Sequence, residues 1–239
     1  MSIKSKFVAA AATLALASGL ATAGALTASA ATPSCGHRCI NLFSKKFSDV
    51  LTTKPPFVLD VFRQGANINQ PIIMFQSSNA DPAEDFTVSL QGTVTQFAAA
   101  GLLPTGALTL HYATDLAFEF QYSPNGVDSG LCVGVASTAV QHEGVTLAPC
   151  GVSAKTVWVV DVADSPATLN RGYVPLINGS TTNFSHPHVM TYPANGYPTD
   201  RPRPQIQVRN LTGFSNGFGP IIGTVIDTQL WGADFGVLR

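Results

Sequence analysis

The chain has 239 residues, of which only 11% are charged, and its formal net charge at pH 7 is −1. Nucleic acids and anionic lipid surfaces bind proteins through strongly cationic patches, so this charge balance argues against both kinds of partner. The length suits one sizeable domain with a single core.

The N-terminal segment predicts export. Lys4 and Lys6 precede an Ala-rich apolar run that ends in Ala28-Ser29-Ala30, the small-x-small pattern of a signal peptidase site. A membrane anchor is the alternative for an apolar run of this length, but the small-residue site favours cleavage. Residues 1–30 are therefore predicted to be a signal peptide. The mature protein is predicted to be secreted, with no membrane segment.

Four cysteines in an exported chain predict disulfides: Cys35, Cys39, Cys132 and Cys150. Three pairings are possible. Proximity in the sequence favours Cys35–Cys39 together with Cys132–Cys150. Each of these closes a local loop, so each is expected to stabilise local geometry more than the whole fold.

Residues 31–56 are predicted to form an N-terminal arm that carries the first disulfide loop. Two interpretations stay open: the arm packs on its own domain, or it docks into a groove of a partner protein. The predicted partner-binding side chains are one cation and four apolar groups. They are Arg38, Ile40, Leu42, Phe43 and Phe47.

Residues 57–239 are predicted to form an all-β domain, because short β-branched and aromatic runs alternate there with Gly, Pro, Asn and Asp. A similar series of strands begins at Phe57, again at Leu131 and, more weakly, at Pro175. The stretch Val94–Tyr122 is interpreted as an insertion with its own strand pair, 107–112 and 116–122. One copy alone cannot bury its apolar face, so three copies predict a closed threefold β structure.

The second copy carries a family resemblance. Leu131-Cys132-Val133-Gly134-Val135, followed by Cys150 and by Thr156-Val157-Trp158, resembles one lobe of the ricin-type β-trefoil lectins. The resemblance implies a β-trefoil-like barrel of three degenerate lobes, with Cys132–Cys150 as a disulfide within one lobe. It also implies that Phe86, Trp158 and Ile206 occupy equivalent core positions.

The same resemblance sets an expectation about sugar binding. Sugar sites in that family use an Asp of the first strand beside a stacking aromatic ring. The matching positions are Asp60, Gly134 and Asn178, so only the first lobe keeps the carboxylate. The family's Gln-x-Trp positions are aligned here with the residues ending at Phe86, Trp158 and Ile206, and none of the three is intact. This pattern favours a protein-binding trefoil, with carbohydrate binding centred on Asp60 as the alternative.

The signal peptide and the Cys-x-x-x-Cys arm suggest a second resemblance. The chain is similar to the adaptor component of umbrella-shaped toxin particles that streptomycetes and related actinobacteria secrete. That resemblance implies a non-catalytic adaptor, which joins a lectin-like targeting subunit to a large toxin chain through its arm. Other secreted proteins, and in the alternative a glycan, are the predicted partners.

Catalytic and metal-binding patterns are weak in this sequence. No Ser lies in a Gly-x-Ser-x-Gly elbow, and the five histidines are scattered. His186-Pro187-His188 lacks a third ligand for a transition metal. The acidic group Asp81, Glu84 and Asp85 lacks the alternating oxygen ligands of a calcium loop. The sequence therefore predicts no enzyme, no cofactor and no metal.

Overall fold

The computed structural model describes residues 39–47, 57–78, 81–108, 111–162, 173–193, 198–199, 202–212 and 225–235. The predicted signal peptide, Cys35 and Arg38 lie outside these ranges. No helix in the described ranges is both long enough and apolar enough to cross a membrane.

Six strands form a closed antiparallel barrel. The barrel strands are β1 (Ile40–Ser44), β4 (Phe86–Thr93), β5 (Leu116–Tyr122), β8 (Trp158–Val160), β9 (Leu176–Asn178) and β12 (Trp231–Phe235). Consecutive barrel strands pair from β1 to β9, and β12 pairs with β1. A bridge between Val174, which precedes β9, and Trp231 of β12 completes the ring.

Three hairpins cover one end of the barrel, and each extends from a barrel strand. They attach to β1, β5 and β9 respectively. Six barrel strands with three hairpins, in this order along the chain, are the β-trefoil topology, so the predicted fold class is confirmed. The hairpins are β2 (Phe57–Val61) with β3 (Ile72–Gln76), β6 (Leu131–Val135) with β7 (Val145–Pro149), and β10 (His188–Thr191) with β11 (Gln207–Asn210).

Two tryptophans mark the pseudo-threefold symmetry of the core. Trp158 and Trp231 each begin the last barrel strand of a lobe and are buried. The indole N–H of Trp158 donates to the carbonyl of Val133 at 2.8 Å, and that of Trp231 donates to the carbonyl of Met190 at 2.8 Å. Val133 and Met190 are each the third residue of a hairpin strand. The second and third lobes therefore match, β6 to β10 and β8 to β12.

This match corrects the predicted alignment of the third lobe. Trp231, not Ile206, occupies the position equivalent to Trp158. Leu176–Asn178 is a barrel strand rather than a hairpin strand, so Thr191, not Asn178, corresponds to Asp60. Ile206 is nevertheless fully buried in the core.

The prediction that no Gln-x-Trp motif is intact is also wrong, because Gln229-Leu230-Trp231 is complete. Gln229 is buried, donates to the carbonyl of Asn210 at 2.8 Å and accepts from the backbone N–H of Thr212 at 2.9 Å. The amide thus ties the end of β11 to the segment before β12.

The first strand corrects the arm prediction. Ile40–Ser44 pairs with β12 over five residues and forms part of the barrel. Ile40 and Leu42 are only 4% and 2% exposed, and both belong to the central core. The ring of Phe43 packs edge-on against Tyr173, and that of Phe47 against Tyr192. These four side chains stabilise their own domain, which begins at or before Ile40 rather than at residue 57.

The predicted insertion is corrected as well. Leu116–Tyr122 is β5, a barrel strand of the second lobe, and it pairs with both β4 and β8. The described part of 107–112 is not a strand, because Thr105–Leu108 forms a 3-10 helix. A short helix, α1 (Val94–Ala99), begins with a capping box in which the Thr93 hydroxyl accepts from the backbone N–H of Gln96. Its buried side chains, Val94 and Phe97, belong to a second, smaller core.

The predicted Cys132–Cys150 disulfide is confirmed. It joins β6 to the turn that follows β7 across a sequence separation of 18. Cys39 is also disulfide-bonded. Its predicted partner, Cys35, lies outside the described residues.

Candidate functional site

A cleft lies on the first lobe, between the hairpin β2–β3 and the segment 202–205. It consists of two adjoining hollows of about 540 Å³ and about 210 Å³, whose walls share Phe62, Arg63 and Arg203. The larger hollow extends towards Ile73 and Gln205. The smaller one reaches down to Asp60. The residue predicted as a sugar ligand therefore lines a cleft.

Asp60 is the most unusual group of this cleft. It lies on β2 directly opposite Ile73 of β3, and it is only 4% exposed. No described residue donates a hydrogen bond to its carboxylate. Burial raises the pKa of Asp60 to about 7, the charge of Asp81 adds to the rise, and the charge of Arg203 opposes it. A buried carboxylate with free acceptor oxygens costs stability unless a ligand supplies donors.

Two further carboxyls stand beside Asp60, and the three offer oxygens within 4.8 Å of one another. Asp81 accepts from the side-chain amide of Gln64 at 2.9 Å and from the backbone N–H of Ala83 at 3.0 Å. Glu84 accepts from the backbone N–H of Ser78 at 3.1 Å. Burial raises the pKa of Glu84 to about 8, the Ser78 hydrogen bond lowers it, and the charge of Asp60 raises it again.

Two arginines, Arg63 and Arg203, line the same cleft as Asp60 and Asp81. Arg63 and Gln64 both have left-handed backbone conformations, with φ of 58° and 56°, which non-glycine residues rarely adopt. Such strain persists where the surrounding structure enforces it, and it is frequent at functional sites. The guanidinium of Arg63 lies 5.0 Å from the centre of the Phe62 ring, and that of Arg203 lies 3.8 Å from the centre of the Phe75 ring. Both arginines are thus held at the cleft by aromatic faces.

The matching positions of the other two lobes are filled. A Cβ on Gly134 would lie 2.6 Å from the carbonyl oxygen of Lys155, so no side chain fits there. Thr191 is buried, and its hydroxyl accepts from the amide of Gln229 at 3.3 Å. Of the three equivalent positions, only Asp60 therefore presents a carboxylate to a cleft.

Sequence reasoning singled out Asp60 and noted the acidic group that contains Asp81 and Glu84, but it did not connect that group with Asp60 and it missed Arg63, Phe75 and Arg203. Phe75 could have been found, because the hairpin register sets it opposite Val58, two residues before Asp60 on the same face. Arg203 carried no local signal, because it reaches the cleft from a distant part of the chain.

Fold and site together define a β-trefoil domain with a polar cleft in its first lobe. No family model and no curated protein matches the chain.

Among solved structures the chain is similar to a designed threefold-symmetric protein, ThreeFoil, with 11% identity, a TM-score of 0.49, and coverage of 81% of this chain and 96% of that one. It is also similar to the Rhizoctonia solani agglutinin, with 14% identity, a TM-score of 0.48, and coverage of 82% and 94%. A mosquitocidal holotoxin gives 9% identity and a TM-score of 0.49 over 82% of this chain, which spans 17% of the toxin. The β-trefoil assignment itself rests on the strand pairing of this chain.

Proposed function

We propose that this chain is a secreted, non-catalytic carbohydrate-binding protein whose site is the first-lobe cleft around Asp60. The observation that supports it is the Asp60 carboxylate, which is buried, faces the cleft and receives no hydrogen bond from any described residue. Vicinal hydroxyls of a sugar are suitable donors for such a group, and guanidinium N–H groups are suitable donors for hydroxyl and ring oxygens.

The arginines shape the expected mode of binding. Since Arg203 covers one face of Phe75, a sugar in this cleft would be held mainly by hydrogen bonds to Asp60, Arg63 and Arg203 rather than by stacking on that ring. This arrangement favours hydroxyl-rich ligands over apolar ones.

A glycan array tests the proposal, with Asp60→Asn as the variant, because asparagine keeps the shape and removes the charge. We expect specific binding by the unmodified protein and a loss of at least about tenfold in the variant, as expected for a hydrogen-bonded charge removed from a buried site. Asp128→Asn is the matched control, since Asp128 is exposed and accepts only from Ser123 among the described residues. No glycan bound by the unmodified protein, or equal binding by Asp60→Asn, would contradict the proposal.

The pH dependence of binding gives a second measurement. The sugar hydroxyls need an ionised acceptor, and the pKa of Asp60 is raised to about 7. Its ionised fraction falls about tenfold between pH 8 and pH 6. Affinity for a bound glycan should fall by a similar factor over that interval, while the Asp60→Asn variant should show no such trend.

The adaptor role stays a separate prediction, and its docking element has changed. Ile40, Leu42, Phe43 and Phe47 are used within the domain, so a protein partner would need another surface. Purification of the native chain from culture supernatant distinguishes the two functions. A stoichiometric partner protein, together with an array that shows no glycan, would favour the adaptor.

A further inference from the structure

A second cluster of metal-ligating side chains lies away from the cleft, where β5 and β8 meet the segment that carries α1. His111, Asp115 and Asp161 each offer one ligand atom, and these atoms all lie within 4.8 Å of one another. We propose that these three residues form a binding site for a divalent transition-metal ion of the zinc type. The proposal is independent of the first-lobe cleft.

The strand register explains why the two carboxylates meet. Ala117 of β5 pairs with Val159 of β8 in an antiparallel ladder. Asp115 directly precedes β5 and Asp161 directly follows β8, so the two aspartates lie at the same end of this antiparallel pair. Two carboxylates this close together repel each other when both are ionised. A cation between them removes that repulsion.

Burial makes this repulsion severe. Asp161 is fully buried and Asp115 is 9% exposed. The Oδ2 atom of Asp115 is buried and accepts no hydrogen bond from any residue in the described ranges. A buried carboxylate oxygen normally has a hydrogen-bond donor or a cation in contact with it, and an ion bound by this cluster would supply that contact.

The position of His111 fits a shared metal ion, and its imidazole ring indicates which metals would bind. Its Nε2 atom lies 3.6 Å from Oδ1 of Asp161, which is long for a hydrogen bond. Two ligands that each lie about 2.1 Å from a tetrahedral zinc ion are roughly 3.4 Å apart, close to the observed distance. Imidazole with two carboxylates suits Zn²⁺ or Mn²⁺ better than Ca²⁺ or Mg²⁺, which prefer oxygen ligands alone.

A bound ion would also link two parts of the fold. Asp161 follows β8 of the barrel, whereas His111 precedes the 3-10 helix Tyr112–Thr114, whose end is capped by the backbone N–H of Asp115. The His111 ring packs against Tyr112, which belongs to the smaller core. The ion would therefore tie the segment between β4 and β5 to the barrel wall, and metal binding should raise the thermal stability of the folded chain.

The test is a calorimetric titration of the EDTA-treated full chain with Zn²⁺, with Co²⁺ absorption as the spectroscopic readout of coordination. We expect one saturable site, a rise in Tm with Zn²⁺, and an affinity at least about tenfold lower in His111→Ala. That variant is the first choice, because a third of the His111 side chain is exposed and its loss leaves the core intact. Asp115→Asn serves as the second variant and should also weaken binding.

Two controls make the result decisive. His142→Asn should bind Zn²⁺ like the unmodified protein, since His142 is exposed and asparagine tolerates its φ of 69°. Asp81→Asn removes an acidic group of the first-lobe cleft and should also leave Zn²⁺ binding unchanged. The proposal fails if no saturable binding occurs below about 1 mM Zn²⁺, if His111→Ala binds as tightly as the unmodified protein, or if Asp81→Asn abolishes the binding.

Discussion

Replacing Glu84 by glutamine should stabilise the protein, and the gain should grow as the pH rises. The third lobe supplies the reason. There Gln229 occupies the position equivalent to Glu84, and its amide donates to the hydroxyl of Thr191, which is equivalent to Asp60. In the first lobe a carboxyl group stands in that place, beside the buried carboxyl of Asp60. Glu84→Gln recreates the arrangement of the third lobe and exchanges a like charge for a donor.

The magnitude follows from the pKa of Glu84, which is raised from 4.5 to about 8. Below about pH 4.5 the folded and unfolded chains both hold this proton, so the group has no effect on stability. Between those two values the unfolded chain releases the proton and the folded chain keeps it, so stability falls by about 1.4 kcal/mol per pH unit. The whole interval corresponds to roughly 5 kcal/mol, mainly the cost of burying the Glu84 charge, and it is an upper limit because Glu84 and Asp60 titrate as a coupled pair. We expect Glu84→Gln to gain roughly 2 kcal/mol near pH 8.

Urea unfolding at several pH values between about 4.5 and 8 measures this effect. The free energy of unfolding should decline with pH in the unmodified protein and decline less steeply in Glu84→Gln. Glu143→Gln is the matched control, because Glu143 is only partly buried and its side chain accepts from the Ser137 hydroxyl. Parallel pH profiles for the unmodified protein and Glu84→Gln would refute the raised pKa of Glu84 on which this prediction depends.

Three further predictions concern stability and can be checked by the same urea unfolding. Trp231→Phe leaves the buried carbonyl of Met190 without its indole donor and should cost about 1–3 kcal/mol, whereas an unchanged midpoint would show that this bond contributes nothing. Gly134→Ala places a Cβ 2.6 Å from the carbonyl oxygen of Lys155 and should cost about 1–3 kcal/mol by overpacking, and a neutral result would mean that the neighbouring turn moves freely. The double variant Cys132→Ala/Cys150→Ala removes this disulfide, which closes a short loop, and leaves the Cys39 disulfide in place; it should cost about 3 kcal/mol, and a loss below about 1 kcal/mol would contradict the loop-entropy estimate.

The first two hairpins could be predicted from local sequence. Phe57–Val61 and Leu131–Val135 are five-residue runs rich in β-branched and apolar groups, and each has a partner run nearby in the chain. Cys150 marked the end of the second hairpin. When two paired strands lie close together in the sequence, their alternating apolar residues and the turn between them are visible in one short segment. That pattern was sufficient to predict these two hairpins.

The third lobe shows where local pattern fails. Leu176–Asn178 and His188–Thr191 are both short and mostly buried, so barrel strand and hairpin strand look alike in the sequence. The indole bond from Trp231 to Met190 decides between them, and it is a contact between distant residues. A period-two pattern cannot tell which of two buried strands belongs to the barrel.

The same limit explains the error over the predicted arm. Ile40–Ser44 has no nearby partner in the chain, because its main partner is β12 at the opposite end of the sequence. A strand without a local partner looks like an unpaired arm. Closure of the barrel brings β1 and β12 together and buries Ile40 and Leu42.

The position of Asp60 holds a different residue in each lobe, Gly134 in the second and Thr191 in the third. This difference supports the proposed binding site in the first lobe. The second lobe has no side chain at Gly134, and backbone from a neighbouring turn fills the space. The third lobe satisfies Thr191 internally through Gln229. The first lobe instead keeps Asp60 buried, with no hydrogen bond from any described residue and a pKa raised to about 7, and so retains a group that lowers the stability of the folded chain at neutral pH. Since the other two lobes show that this scaffold accommodates glycine or an internally bonded hydroxyl there, the carboxylate is best explained by a ligand that supplies its missing donors.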